Sequence, residues 1–147
     1  MTRTQTENLS AGEALRLLGG VRFGRVVFTS RALPAVRPVR HVVDGGQIVI
    51  AVGPELVLGP SSPTSPGMCG ETIVAYEADQ LDAEGYAGWS VVVVGRARPL
   101  TDAGAVGAYR PLLPPVTVPD QLVAISADVV TGYRTSAVAA DHAGSAC

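Results

Sequence analysis

The sequence predicts a mainly β protein, a small β-barrel with short helices. Residues 22–52 hold three strand-like runs joined by two tight turns: Phe23-Gly24-Arg25-Val26-Val27-Phe28-Thr29-Ser30, then Ala35 to Val43, then Gln47 to Val52. A fourth strong run, Trp89-Ser90-Val91-Val92-Val93-Val94-Gly95-Arg96-Ala97, comes much later. Many short strands with few helical segments favour a barrel or a sandwich over a helical or α/β fold.

The elements follow in order. Leu9-Ser10-Ala11-Gly12-Glu13-Ala14 reads as a helix start, with Ser10 as cap and Glu13 completing a capping box. Leu15, Leu17 and Leu18 supply the apolar face, and Gly19-Gly20 is expected to end the helix in the left-handed cap conformation. The first strand spans about 22–30 and the second about 35–43. Asp44-Gly45-Gly46 marks a hairpin, because positive φ is cheap there, and the third strand spans 47–52. Pro38 lacks an amide donor, so the second strand is expected to have an edge or a bulge at that point.

Residues 53–70 contain Pro54, Pro60, Pro63 and Pro66 with serines between them. They read as a long loop with one helical turn at 55–58. A fourth strand is expected at 71–77, an acidic loop at 79–88, and a fifth strand at 89–97 buried on both sides. Thr101 is expected to cap a short helix reaching Arg110, a connector covers 111–119, and a sixth strand covers 121–126. Residues 128–133 close the domain. A single domain over 1–134 with a flexible tail at 135–147 fits the 147-residue length.

Composition narrows the function. The chain is 47% hydrophobic and 16% charged, which places it among globular proteins. A net charge of −2 predicts no general attraction to nucleic acid or acidic membrane. Every cation is arginine; without lysine, neither a Schiff base nor a Walker-type phosphate loop can form. Residues 1–40 hold seven arginines against Glu7 and Glu13, so this part can supply a local anion site or simply a solvated basic face. Cys69 and Cys147 do not suggest a disulfide framework, the first residues carry no apolar signal core, and no apolar run has the length of a membrane span. The expectation is a soluble cytoplasmic protein.

With these elements in place, the chain from Leu9 to Arg134 resembles the pyridoxamine 5′-phosphate oxidase-like proteins of the flavin-binding split-barrel superfamily. The resemblance rests on the capped helix leading into Val21-Arg22-Phe23-Gly24-Arg25-Val26, on Leu33-Pro34-Ala35-Val36-Arg37-Pro38-Val39 with its following turn, on Gly88 to Ala97, and on Ile125 to Arg134. It implies a split β-barrel of the flavin reductase and pyridoxamine phosphate oxidase type. It also implies a homodimer that holds FMN, or a deazaflavin coenzyme, in a groove between subunits and acts on a small-molecule substrate. Carried over, Arg37, Pro38, Val39 and Arg40 would line the flavin, followed by Ile50, Ala51 and Val52, with Trp89 and Ser90 approaching it. The sequence departs from the family where relatives place a threonine and then a lysine for the flavin phosphate: here the chain reads Val52-Gly53-Pro54-Glu55-Leu56-Val57-Leu58.

Each candidate also has a plainer reading. Arg37 and Arg40 are three positions apart, so a regular strand points them to opposite faces, and one reaches a ligand or both are solvated. Trp89 stacks on a ring, covers an interface or fills the core. His41 and His142 form no metal cluster, and His41 is a catalytic acid or a structural histidine. Ser61-Ser62 lacks a nucleophile elbow, and Cys69 has no activating companion. Three functions follow: a flavin- or deazaflavin-dependent oxidoreductase, a non-catalytic binder of flavin, haem or another small ligand, or a domain kept for its dimer or for a partner.

Overall fold

The computed structural model describes residues 2–53, 72–84, 87–115 and 120–139. Strands β1 (Thr2–Asn8), β2 (Phe23–Ser30), β3 (Leu33–Asp44), β4 (Gln47–Val52), β5 (Thr72–Leu81), β6 (Gly88–Pro99), β7 (Gln121–Ser126) and β8 (Val129–Ala139) accompany two short helices, α1 (Ala11–Gly19) and α2 (Ala103–Tyr109). The strands form one sheet in the order β1-β8-β6-β5-β2-β3-β4-β7, and β7 pairs again with β6. The ring β6-β5-β2-β3-β4-β7 is thus a closed antiparallel barrel of six strands, from which β8 and β1 extend.

Closure turns on β6. One of its edges runs along β5 from Gly88 to Ala97. The other edge is divided: Gly88–Val94 pairs with β8, and Ala97–Pro99 pairs with β7. Gly95 lies at the fork, where a Cβ would stand 1.5 Å from the Ser126 carbonyl oxygen. Only a residue without a side chain lets the β7–β8 connection pass so close.

The inner faces supply the core. Val26, Ile48, Ile50, Tyr76, Val91, Val93, Val123 and Ile125 are fully buried, each such aliphatic side chain being worth about 1.5–3 kcal/mol relative to exposure. Helix α1 seals the split between β8 and β3. Leu9 N–H bonds the Gly132 carbonyl at 2.8 Å, and Ala14 and Leu18 enter the core. Ser10 caps α1 by accepting from the Glu13 amide at 3.2 Å. The C-terminal cap differs from expectation: Gly20 is right-handed (φ −82, ψ −10), and its amide reaches Leu17 O at 3.0 Å. The last turn tightens with i→i−3 bonds, so no left-handed residue is needed.

Helix α2 covers the outer face of β4 and β7, where Val49, Leu113 and Leu122 form a second buried cluster. Its cap is Asp102, which accepts from the Ala105 amide at 2.9 Å, rather than Thr101. Arg110 ties the helix end to Asp120 by two bonds of 2.6 and 2.7 Å.

The hairpin at 44–47 is as expected, with positive φ at Gly45 and Gly46. Pro38 sits where β3 has β2 on one side only, and the unbroken β2–β3 register makes this an edge without a bulge. Strand β5 runs on to Leu81, into the expected acidic loop, because its backbone pairs with β6 as far as Gly88. Strand β8 likewise continues through Ala139, past the expected boundary at 134, because it pairs with β1, an element with no hydrophobic pattern of its own. Strand β6 alternates instead of being buried on both sides: Trp89, Val91, Val93 and Ala97 are buried, whereas Val92 and Val94 are half-buried. The helical turn expected at 55–58, Ser61, Ser62 and Cys69 lie outside the described residues.

A buried polar tie links α1, β3 and β5. His41 Nε2 lies 2.8 Å from the Leu18 carbonyl, and His41 Nδ1 meets the Tyr76 hydroxyl. A carbonyl only accepts, so Nε2 carries the proton, Nδ1 accepts, and Tyr76 donates. The two rings pack edge to face with centroids 5.1 Å apart. Tyr76 in turn fills the space above Gly24, where a Cβ would lie 2.5 Å from its hydroxyl oxygen. Burial pushes the His41 imidazole below its ordinary 6.5 and the Tyr76 hydroxyl above its usual range.

Two outcomes follow from this architecture. Gly95→Ala should lower stability by about 3 kcal/mol or more, read as a lower urea midpoint, because backbone must move to admit the methyl group. The folded protein keeps His41 neutral, so its contribution is complete above pH 6.5 and is lost as pH falls below that value. The melting temperature should drop between pH 7.5 and 5.5, and His41→Gln should flatten that drop.

Candidate functional site

The residues implicated by the resemblance alternate between two faces. Along β3, Arg37 stands opposite Val26 and Val39 opposite Gly24, on the barrel's inner side. Pro38 and Arg40 stand opposite Arg25 and Phe23, on the outer side. Arg37 and Arg40 therefore diverge, as regular strand geometry requires. On β4, Ile50 and Val52 face the interior, while Ala51 packs outward beneath α2. On β6, Trp89 is 8% exposed and belongs to the core, whereas Ser90 faces out. The structure thus does not gather these side chains on one surface.

What they share is a backbone edge. Strand β3 pairs with β4 only over His41–Asp44, so the stretch from Leu33 to Arg40 has a strand neighbour on the β2 side alone among the described residues. Such an edge offers unpaired amides and carbonyls to a planar polar ligand. Arg37 lies at this edge, with Nη1 bonding the Val36 carbonyl at 2.9 Å. Neither Arg37 nor Arg40 has a carboxylate partner among the described residues, in contrast to Arg25, which meets Glu77 at 2.9 Å and Asp79 at 3.8 Å. Partial burial, with Asp79 beside it, holds the Glu77 carboxyl above its ordinary range.

The outer face of β3, β2, β5, β6 and β8 is the second feature. It exposes Val36, Phe23, Ile73, Val129 and Tyr133 at 49, 65, 63, 55 and 48%. Large apolar residues shared by one face mark an interaction surface more than scattered ones do. Sequence reading did not collect them, because they come from four separate strands; the even spacing within each strand was the only available signal.

His41 is 4% exposed with both ring nitrogens bonded, so it is a structural histidine and presents no proton to a ligand. Among the described residues, no group of three or more His, Cys, Asp or Glu side chains is placed to hold a metal ion. No helix among them is long and apolar enough to cross a membrane.

Comparison with known proteins agrees with this architecture. A family model described as pyridoxamine 5′-phosphate oxidase matches residues 10–141. The uncharacterized protein Rv0080 of Mycobacterium tuberculosis is 42% identical over 130 residues, covering 86% of this chain and 83% of that protein. A crystal structure of a candidate pyridoxamine 5′-phosphate oxidase from Corynebacterium glutamicum superposes with a TM-score of 0.66 at 29% identity, over 87% of this chain and 91% of that one. The structure of an FAD-binding protein from Mycobacterium smegmatis superposes with a TM-score of 0.58 at 25% identity, over 88% and 98%. With a split barrel closed at β6 and a family match across nearly all of its length, the chain belongs to the pyridoxamine 5′-phosphate oxidase family.

Proposed function

We propose that this protein binds a flavin-type cofactor, FMN or a deazaflavin coenzyme, along the open edge of β3 and serves as an oxidoreductase for a small organic substrate. The observation that carries this reading is that edge, from Leu33 to Arg40, beside which two arginines have no carboxylate partner among the described residues. The family match and the FAD-binding relative support the choice of ligand.

The residues present fit such a group. Main-chain amides and carbonyls of β3 can bond the edge of a ring system, with Pro38 contributing only its carbonyl. A guanidinium can meet a phosphate with two parallel bonds, and with no lysine in the chain Arg37 or Arg40 would hold it. A bound flavin supplies hydride or electron transfer; the chain binds and orients it and keeps water away. A second copy of the chain is the proposed cover for the outer face, giving a homodimer with the ring near the subunit boundary. The composition supports a cytoplasmic setting.

One observation favours a second reading, a binding protein without catalysis. His41 and Tyr76 spend their polar atoms on each other and on the Leu18 carbonyl, and among the described residues no buried side-chain polar atom is left without a partner to act as acid or base at the edge. Haem or another flat ligand would then be an equal occupant. Reduction of a bound flavin by a nicotinamide donor separates the two: the catalytic reading expects bleaching of the visible band within turnover times.

Three measurements check the proposal. Light scattering after size exclusion should give twice the 15.1 kDa chain mass at micromolar concentration; a monomer would remove any site shared between subunits. FMN at about a hundred times its dissociation constant should add roughly 2.7 kcal/mol of stability. Arg37→Ala or Arg40→Ala should weaken FMN binding about ten- to a hundredfold while riboflavin affinity is kept. Equal FMN binding by both variants and the parent would mean that no arginine of β3 holds the phosphate.

A further inference from the structure

A concave site lies on the outer face of the barrel where β4, β7 and β6 adjoin. Its volume is about 120 Å³, and Gln47, Arg96, Arg98, Ala124 and Ser126 line it. We infer that it binds the dianionic phosphate group of a small molecule, independently of any flavin.

The strand register builds the site. Strand β7 lies between β4 and β6, so Ala124 and Ser126 form the floor. Arg98 stands directly opposite Ala124, and Gln47 stands opposite Ser126 on the other flank. Arg96 is two residues before Arg98 and projects to the same outer face. The small Ala124 side chain leaves a hollow between the longer ones. Ligand pockets for whole cofactors run to about 300–1,000 Å³, so this hollow takes a phosphate-sized head and not a ring system.

The chemistry favours an anion. Arg96 and Arg98 place two positive charges on neighbouring positions of one strand face, an arrangement that like-charge repulsion opposes and an anion relieves. Four arginines follow residue 40: Arg96, Arg98, Arg110 and Arg134. Arg110 pairs with Asp120, Arg134 with Glu7, and Arg96 with Asp128 through Nε at 3.4 Å. Arg98 alone of the four has no carboxylate partner among the described residues. The Arg96 contact uses Nε, which leaves both terminal nitrogens for a ligand.

The surroundings are already ordered. Ser126 Oγ accepts from the Arg96 amide at 3.1 Å and donates to Asp128 at 3.0 Å. Gln47 Nε2 donates to the Tyr109 hydroxyl at 3.0 Å, and Tyr109 donates to Asp44 at 2.8 Å. Asp128 thus contacts Ser126 and Arg96 of the lining, and Asp44 is linked to Gln47 through Tyr109. Asp128 competes with a ligand for Arg96, so it should weaken binding.

Titration of the full-length protein, followed through arginine Nε–H signals in nitrogen-15 NMR spectra, tests the inference. The probes are inorganic phosphate and phenyl phosphate, with sodium chloride at matched ionic strength as control. Saturable shifts of the Arg96 and Arg98 signals are expected with phosphate and not with chloride. A preference for phenyl phosphate would identify a phosphomonoester as the ligand, and a preference for inorganic phosphate the free ion. Arg98→Gln should weaken binding about tenfold or more, and Asp128→Asn should tighten it by freeing Arg96. Equal, non-saturating shifts with phosphate and chloride, or unchanged affinity in Arg98→Gln, would overturn the inference.

Discussion

The structure depends on one constraint, the division of a single edge of β6 between two partners. Backbone groups in a sheet must be paired, and β6 satisfies its own by giving Gly88–Val94 to β8 and Ala97–Pro99 to β7. The first pairing extends the sheet beyond the barrel. The second closes it. Both are possible because Gly95 has no side chain where the Ser126 carbonyl passes. Without that passage β7 and β8 could not both reach β6, and the barrel would open.

The division creates a split, and the split dictates what α1 must do. A gap between β8 and β3 would expose the interior, so an apolar helix face has to fill it. Ala14 and Leu18 do so with no exposed surface. The helix also carries a carbonyl, that of the fully buried Leu18, into the interior. His41 answers it, and Tyr76 answers His41. A single polar chain thus fixes the helix to two strands, and each of its atoms is spent. The same satisfaction that stabilises the plug leaves the histidine no proton to present to a ligand.

Two different surfaces remain for binding, and they differ in kind. The β3 edge offers backbone groups and two arginines without a carboxylate partner among the described residues, beside an exposed apolar sheet face. The β4–β7–β6 face offers a small hollow walled by guanidinium groups. The first is the edge proposed for a flavin-type ring. The second suits a compact charge open to solvent. They lie on different strands of the barrel: the first on β3 beside β2, the second where β4, β7 and β6 adjoin. The connection between β2 and β3 carries a local strain, since Arg31 and Ala32 both have positive φ without being glycine.

Much of this was legible in the sequence because it is local. Ser10 and Glu13 announced α1, Asp44-Gly45-Gly46 announced the β3–β4 hairpin, and short strand-like runs between turn residues announced the barrel strands; each signal lies within a few residues of its consequence. Pro38 correctly announced an edge, and the spacing of Arg37 and Arg40 correctly announced their divergence. Tertiary structure alone decided the rest. The polar β1, the continuation of β8 to Ala139 and that of β5 to Leu81 exist because a neighbouring backbone edge was available, a cause that no hydrophobic period records. Trp89 became core and Ser90 outer only when the register of β6 against β5 and β8 was set. Gln47 precedes Arg96 and Arg98 by about a third of the chain, and they meet only because β7 enters between their strands. Sequence fixes the conformations that a residue and its near neighbours can adopt; which distant edges find each other is decided by closing a barrel around one shared interior.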